Sequence, residues 1–170
     1  APLRAHGITT LLERTGRRGE APEIRPLFGP AREKVEVKEH GIPFIVDLAR
    51  GQKTGAFLDQ RENRRRIGEL VARRARSSGR PVRVLNLFSY TGGFSLHAAL
   101  AGGTVTGVDV AMAAHATAQE SFRLAGVDPR AHTFVSADCF AWLEAAAKRG
   151  DRWDVVISDP PSFAPSEKAK

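Results

Sequence analysis

Three aspartates each close a short run of branched apolar residues: Asp109 in "GVDV", Asp138 in "SADCF" and Asp159 in "SDPPSF". Such runs read as β-strands, in which aspartate itself is disfavoured. A fourth run, "VLNLF", empties into Ser89, Tyr90, Thr91, Gly92 and Gly93. If the four runs lie side by side in a parallel sheet, their tips share the carboxyl edge where open α/β sheets bind ligands. Carboxylates there can accept hydrogens from hydroxyls or amines, and paired glycines let the backbone approach a ligand closely. Each aspartate alone is equally well a turn or helix N-cap residue, and the glycines alone are equally well a tight turn. Three acids at one edge behind a double glycine point to a shared binding site.

The spacing narrows the chemistry. Asp109 lies 17 residues beyond Gly92, at the end of the next strand. An acid so placed can take both hydroxyls of a ribose, as in dinucleotide sites. Asp138, one strand further, can accept a hydrogen bond from an adenine amine, and together these describe an adenosine pocket. The chain lacks the G-x-G-x-x-G pyrophosphate fingerprint and the G-x-x-x-x-G-K-[ST] phosphate loop. S-adenosylmethionine, an adenosine compound without phosphate, remains, with Asn86, Ser89, Tyr90 and Thr91 available for its amino-acid end. In "SDPPSF", Pro160 and Pro161 fix an extended turn, Asp159 can position a target base, and Phe163 can stack on it. The competing reading is a proline pair that only ends a strand.

These residues need a scaffold, and the rest of the pattern supplies one. Strands are expected at 82–88, 104–109, 132–136 and 153–158, with helices at about 93–101, 111–125 and 139–149. Strands alternating with helices of that length imply right-handed crossovers and a doubly wound, mostly parallel α/β sheet. The last strand, "WDVVIS", is nearly all apolar, as if covered on both faces. Upstream, Val35, Val37, Ile42, Phe44, Val46 and Leu48 alternate around His40-Gly41, which predicts a β-hairpin. Asp59 and Glu62 suit the start of a helix whose stripe is Ile67, Leu70, Val71 and Ala75. The expected division is a linker or remnant of a preceding module at 1–33, the hairpin and its loop at 34–60, and the α/β domain at 61–170.

Composition excludes several classes. The chain has 170 residues, 42% hydrophobic and 26% charged, with no run near the length of a spanning helix and no signal peptide at its start. No membrane partner is expected. One cysteine, Cys139, rules out an internal disulfide and a cysteine-based metal cluster and fits a reducing cytoplasm. The five histidines show no metal-ligand spacing, so no metal is expected. The +7 net charge is uneven: residues 1–80 hold 18 Lys and Arg against 10 acids, and residues 81–170 hold 8 against 9. A basic half fits a nucleic-acid partner, although a solvated basic face needs none. "QRENRRRIGELVARRARSSGR" concentrates Arg61, Arg64, Arg65, Arg66, Arg73, Arg74, Arg76 and Arg80 on one helix, as a phosphate-tracking surface or a solvated face.

Four stretches together, "GQKTGAFLDQRENR", "VLNLFSYTGGFSLHAALAGG", "VTGVDV" and "WDVVISDPPSFA", resemble the class I S-adenosylmethionine-dependent ribosomal RNA methyltransferases of the bacterial cytosine-C5, large-subunit type. The resemblance runs from about Leu11 to Lys170. It implies S-adenosylmethionine as cofactor, ribosomal RNA as partner, and transfer of methyl to C5 of a cytosine. Alternatives are methylation of an exocyclic base nitrogen, or a non-catalytic RNA-binding module. It implies methionine-end contacts from Phe88, Ser89, Tyr90, Thr91, Gly92 and Gly93, ribose contact by Asp109, and adenine contact near Asp138 and Cys139. Gln60 and Arg61 would close over the cofactor, and Asp159, Pro160 and Pro161 would face the target base. Cytosine C5 needs a thiolate at C6 to become nucleophilic, and the resemblance places that cysteine after the next strand, beyond Lys170. Cys139 reads instead as a packed helix-start residue. In the family a PUA RNA-binding domain precedes the hairpin. The chain therefore reads as a fragment, a cofactor-binding core that is catalytically incomplete alone.

Overall fold

The computed structural model describes residues 2–15, 23–52 and 55–161. A short helix, α1 (Pro2–Ala5), leads into two antiparallel strands, β1 (Leu11–Thr15) and β2 (Glu23–Phe28). The stretch expected as linker thus carries a two-stranded ribbon of its own. Its members, "LLERT" and "EIRPLF", mix charge, proline and apolar residues without alternation, so period two gave no signal there. The hairpin forms as expected, from β3 (Lys34–Glu39) and β4 (Ile42–Asp47), with Val35 opposite Val46 and Val37 opposite Phe44.

A 3₁₀ turn at Leu58–Gln60 leads into α2 (Arg61–Ser78), which ends on Gly79 in the left-handed conformation. Asp59 does not cap this helix. The N-cap position is Gln60, with no side-chain cap bond, because the 3₁₀ turn already feeds the chain into helical geometry.

The remainder is β5 (Val82–Leu87), α3 (Gly93–Leu100), β6 (Gly103–Asp109), α4 (Met112–Leu124), β7 (Thr133–Ser136), α5 (Cys139–Arg149) and β8 (Val155–Ser158). The four strands form one parallel sheet in the order β7-β6-β5-β8. The chain winds outward from β5 to β7 and then returns to β5's other side. This reversal makes the crevice between the tips of β5 and β8 the natural ligand site. Successive residues of β5 face opposite ways. Val82 and Val84 pack with Val71 of α2 and Ala98 of α3, while Leu85 and Leu87 pack with Cys139, Trp142 and Trp153.

The edge strand β8 departs from its expected burial. Val155 and Ile157 are buried, but Val156 is 56% exposed. The strand shows a one-sided pattern despite its apolar sequence. No helix among the described residues is long and apolar enough to cross a membrane.

The hairpin is docked rather than trailing. Ile45 N–H donates to Ser121 Oγ of α4 at 3.0 Å, and Lys34 reaches the Glu120 carboxylate at 2.7 Å. A second tie is buried. Glu39, the last residue of β3, accepts both Nε and Nη2 of Arg64 from α2, at 2.7 and 2.6 Å. Arg64 Nη1 also donates to the Phe57 carbonyl at 2.9 Å. His97 of α3 stands 3.5 Å from the same carboxylate.

Candidate functional site

A cavity of about 630 Å³ opens at the carboxyl edge of the sheet, roofed by the hairpin and by the turn before α2. Its wall includes Phe88, Ser89, Tyr90, Thr91 and Gly93 from the β5–α3 turn, Asp109 from β6, Asp138 and Cys139 at α5, and Asp159, Pro160 and Pro161 after β8. Gln60 lines it from the 3₁₀ turn. The structure therefore brings together twelve of the fourteen residues singled out in the sequence. Arg61 and Gly92 are not part of the wall. Arg61 turns outward, its Nε donating to His40 at 3.3 Å. Asn86, grouped with the turn from sequence, faces the interior and donates to Ser95 Oγ at 2.9 Å. Phe163 lies outside the described residues.

The turn after β5 is held in an unusual backbone. Phe88 and Tyr90 take φ of 56° and 48°, left-handed values that non-glycine residues rarely adopt. Such conformations persist where surrounding contacts over-determine them. Phe88 N–H donates to Cys139 Sγ at 3.2 Å, and its ring meets Phe140 edge-on at 5.6 Å. Tyr90 N–H donates to Asp109 Oδ2 at 2.8 Å, its hydroxyl accepts Gln52 N–H at 2.7 Å, and its ring meets Phe57 at 5.5 Å. Burial, with the negative charges of Asp47 and Asp109, raises the Tyr90 phenol further and keeps it neutral.

The double glycine answers to packing as well as to the cavity. Gly92 sits at φ 74°, and a Cβ there would stand 2.9 Å from the Ala118 Cβ of α4. A Cβ on Gly93 would stand 2.8 Å from Arg64 Cδ. So Gly92 admits the turn and the α3–α4 approach, whereas Gly93 leaves room for Arg64 at the cavity wall. Gly92→Ala combines a left-handed alanine with that contact, a loss of about 2 kcal/mol. In a chain of this size it is expected to lower the melting temperature by roughly 4–8 °C. A melting curve coincident with the parent's would show that the α3–α4 approach has slack.

Asp109 is the hub. Its Oδ2 takes Tyr90 N–H and its Oδ1 takes Ala111 N–H at 2.9 Å, which leaves lone pairs on both oxygens directed outward. Asp138 is an N-cap, with Oδ1 accepting Ala141 N–H at 2.9 Å, and it also lines the cavity. Cap and wall are compatible roles, since one oxygen serves the helix. Cys139 is 3% exposed; burial raises its thiol above the ordinary value, against the opposing Phe88 N–H, so it is a poor nucleophile.

Sequence reading missed other wall residues. Val110 and Phe140, 70% and 59% exposed, are large apolar side chains left open beside Asp109 and Asp138. They offer flat apolar faces where the two acids supply acceptors, the combination a purine ring with an amine and a ribose requires. Their signal was position: each follows directly after a residue already singled out. Glu39, Arg64 and His97 also reach the wall, from three separate elements. Burial pushes Glu39's carboxyl up, but the Arg64 hydrogen bonds and charge, with His97 and His40, outweigh it and hold it below the usual carboxylate value. Burial lowers the His97 imidazole, and nearby Glu39 only partly offsets this.

One buried polar atom of the turn is left without a partner. Ser89 is 7% exposed and lines the cavity, while its Oγ, which lies against Gly107 of β6, has no hydrogen-bond partner. The donor set suits an adenosine compound bearing no phosphate. The sequence carries neither phosphate-binding glycine motif, and among the described residues no three His, Cys, Asp or Glu side chains converge as metal ligands.

Comparison with known proteins agrees with this geometry. Residues 5–168 match the model of the S-adenosylmethionine-dependent methyltransferase family. A ribosomal RNA large subunit methyltransferase of Deinococcus radiodurans is 46% identical over 138 residues, 81% of this chain and 32% of that protein. Ribosomal RNA large subunit methyltransferase I of Aeromonas salmonicida is 38% identical over 160 residues, 92% of this chain and 36% of that protein. The chain thus spans about a third of the length of these curated relatives. Among solved structures, SMU.776 complexed with S-adenosylhomocysteine superposes with a TM-score of 0.70 at 36% identity, covering 86% of this chain and 37% of that one.

Proposed function

Because this chain belongs to the S-adenosylmethionine-dependent methyltransferase family, we propose that it transfers the methyl group of that cofactor to a base of large-subunit ribosomal RNA. The observation that carries the reading is the convergence of Asp109, Asp138, the Ser89–Thr91 turn and Asp159-Pro160-Pro161 on one cavity. Asp109 would hold the ribose, Asp138 the adenine amine between Val110 and Phe140, and the Ser89–Gly93 turn the amino-acid end. The cofactor supplies an electrophilic methyl on sulfur. The chain's own residues do the positioning. Asp159, exposed at the tip of β8 beside the rigid Pro160-Pro161 turn, can accept hydrogen bonds from a base amine and fix it in the crevice between β5 and β8. The relatives' names support ribosomal RNA as substrate, and such a substrate accords with the cytoplasmic setting expected from a single cysteine.

Cytosine C5 is the finer assignment. It requires a thiolate added at C6, and the buried, un-ionised Cys139 does not provide one. C5 chemistry thus needs a second cysteine. An exocyclic amine needs none, and Asp159-Pro160-Pro161 on the cavity wall, able to hold an amine, favours it as the second reading. The test is to incubate the full-length protein with large-subunit RNA from cells lacking it and with methyl-labelled cofactor, then digest to nucleosides. Label in 5-methylcytidine supports the first reading and label in an N-methyl nucleoside the second. No transfer to RNA by the full-length protein, with S-adenosylhomocysteine binding intact, sinks the ribosomal RNA assignment.

A further inference from the structure

Part of the chain's charge asymmetry is concentrated on one helix, α2. α2 carries eight arginine-type positions if its approach and exit are counted, and the structure sorts them by partner. Arg64 is buried on Glu39. Both glutamates of the helix, Glu62 and Glu69, converge on Arg65. Arg80, just past the helix, pairs with Asp154. Arg61 donates to His40 and stands 3.9 Å from Glu62, and Arg74 faces the Asp154 carboxylate electrostatically. That leaves Arg66, Arg73 and Arg76, all exposed, with no carboxylate within ion-pair distance among the described residues. At 3.6 residues per turn these three lie within about 80° of one another, along about 15 Å of the helix. They lie on the side opposite the buried Arg64 and Val71 and the partly buried Ala75.

Local physics does not call for this stripe. Cations in the last turn complement the helix dipole, which accounts for Arg76, but Arg66 sits in the second turn, where the dipole gives it no support. Glu62 and Glu69 share this face, four residues before Arg66 and Arg73, but both carboxylates are engaged by Arg65, and like charges at i, i+3 oppose helix formation, as Arg73 and Arg76 do. The side chains are all arginine, the planar donor that fits phosphate bidentately. The helix begins at the site, where Gln60 and Arg64 line the cavity, and the stripe starts within the next turn on the helix's other side.

We propose that the solvent face of α2, through Arg66, Arg73 and Arg76, binds the phosphate backbone of the RNA whose base enters the cavity. This rests on the RNA reading above and adds the surface that holds the substrate. These contacts are independent of base identity, so they supply affinity and orientation while the crevice selects the base.

The test measures binding of a short mixed-sequence single-stranded RNA by fluorescence anisotropy across a salt series. Three proteins are compared: the parent, an R66Q/R73Q/R76Q variant, and a K148Q/R149Q/R152Q variant. The last removes the same charge from exposed positions at the end of α5, on the other face of the sheet. Removing three phosphate contacts is expected to weaken binding at least tenfold near 0.1 M salt and to make the log K against log salt slope shallower by about 2. The α5 variant should stay within about twofold of the parent. All three should bind S-adenosylhomocysteine alike. If the parent binds RNA and the α2 variant binds it equally, the surface is wrong and the RNA reading stands. If both triple variants weaken alike, net charge is responsible and the assignment to α2 falls. If the parent binds S-adenosylhomocysteine but no RNA, this surface and the RNA reading fall together.

Discussion

Glu39→Ala is expected to remove about 3–5 kcal/mol of stability, the loss typical when one partner of a buried ion pair is taken away. Glu39 and Arg64 are 6% and 7% exposed, and their bidentate bonds join β3 to α2 across the cavity wall. Alanine leaves the guanidinium buried with only the Phe57 carbonyl and a neutral imidazole beside it. Against the 5–15 kcal/mol typical of a domain, that is a large fraction. Urea denaturation followed by circular dichroism measures it directly. The double variant Glu39→Leu/Arg64→Met separates the lost attraction from the stranded charge. Replacing both partners by apolar groups is often neutral or better, so it should recover most of the loss. A Glu39→Ala cost below about 1 kcal/mol would mean that water already reaches Arg64, and the pair would then count as a surface bridge.

The same cluster sets an acid limit. Glu39's folded value lies below its unfolded one, so its contribution is complete above the ordinary carboxylate value of 4.5 and fades as pH falls through the folded value. His97's folded value is also depressed, below 6.5, so the unfolded state takes up a proton first and stability declines as pH drops under about 6.5. Both groups therefore destabilise on acidification, the histidine beginning first. A melting temperature flat above neutrality and falling in two stages below it is the expected profile, with Glu39→Gln removing the lower stage.

How legible this was in the sequence differs element by element. The parallel sheet and its carboxyl edge were readable because four β-branched runs alternate with helical spacings and each run ends in chemistry. The hairpin was readable for the same reason of period. Arg64 was not singled out among its neighbours, though the signal existed. At 100° per residue it shares a face with Val71 and Ala75, and an arginine on an apolar stripe calls for a buried acid. The identity of that acid was not readable, because Glu39 ends a strand 25 residues upstream and no local rule relates the two. The ribbon at β1 and β2 was invisible to pattern, since neither strand keeps one apolar face. Gly92 and Gly93 were read as a pair, but their reasons differ, and only the positions of Ala118 and Arg64 separate them. Arg61 and Arg64 show the same limit: adjacent turns of one helix send one side chain to His40 at the surface and the other into the wall.

Asp109→Ala is expected to weaken binding of S-adenosylhomocysteine by roughly thirtyfold, about 2 kcal/mol, less than two fully buried charged hydrogen bonds because the carboxylate is half-buried. Two routes lead to such a loss, and they make different predictions. In the first, Asp109 accepts the ribose hydroxyls on the lone pairs that Tyr90 and Ala111 leave open. In the second, Asp109 acts only by holding Tyr90 at φ 48°, and its removal lets the β5–α3 turn relax. A 2′-deoxy analogue of the ligand separates them by calorimetry. If the carboxylate takes the hydroxyl, the parent discriminates between ribose and deoxyribose and the variant does not, so the two losses fail to add. If it only braces the turn, both proteins discriminate equally. Asp109→Asn sharpens the comparison, because one oxygen becomes an NH₂ that must face either the Tyr90 or the Ala111 N–H. Full retention of ribose discrimination in Asp109→Ala would move the ribose contact elsewhere on the wall. Ser89, which lines the same wall, would be the next residue to replace.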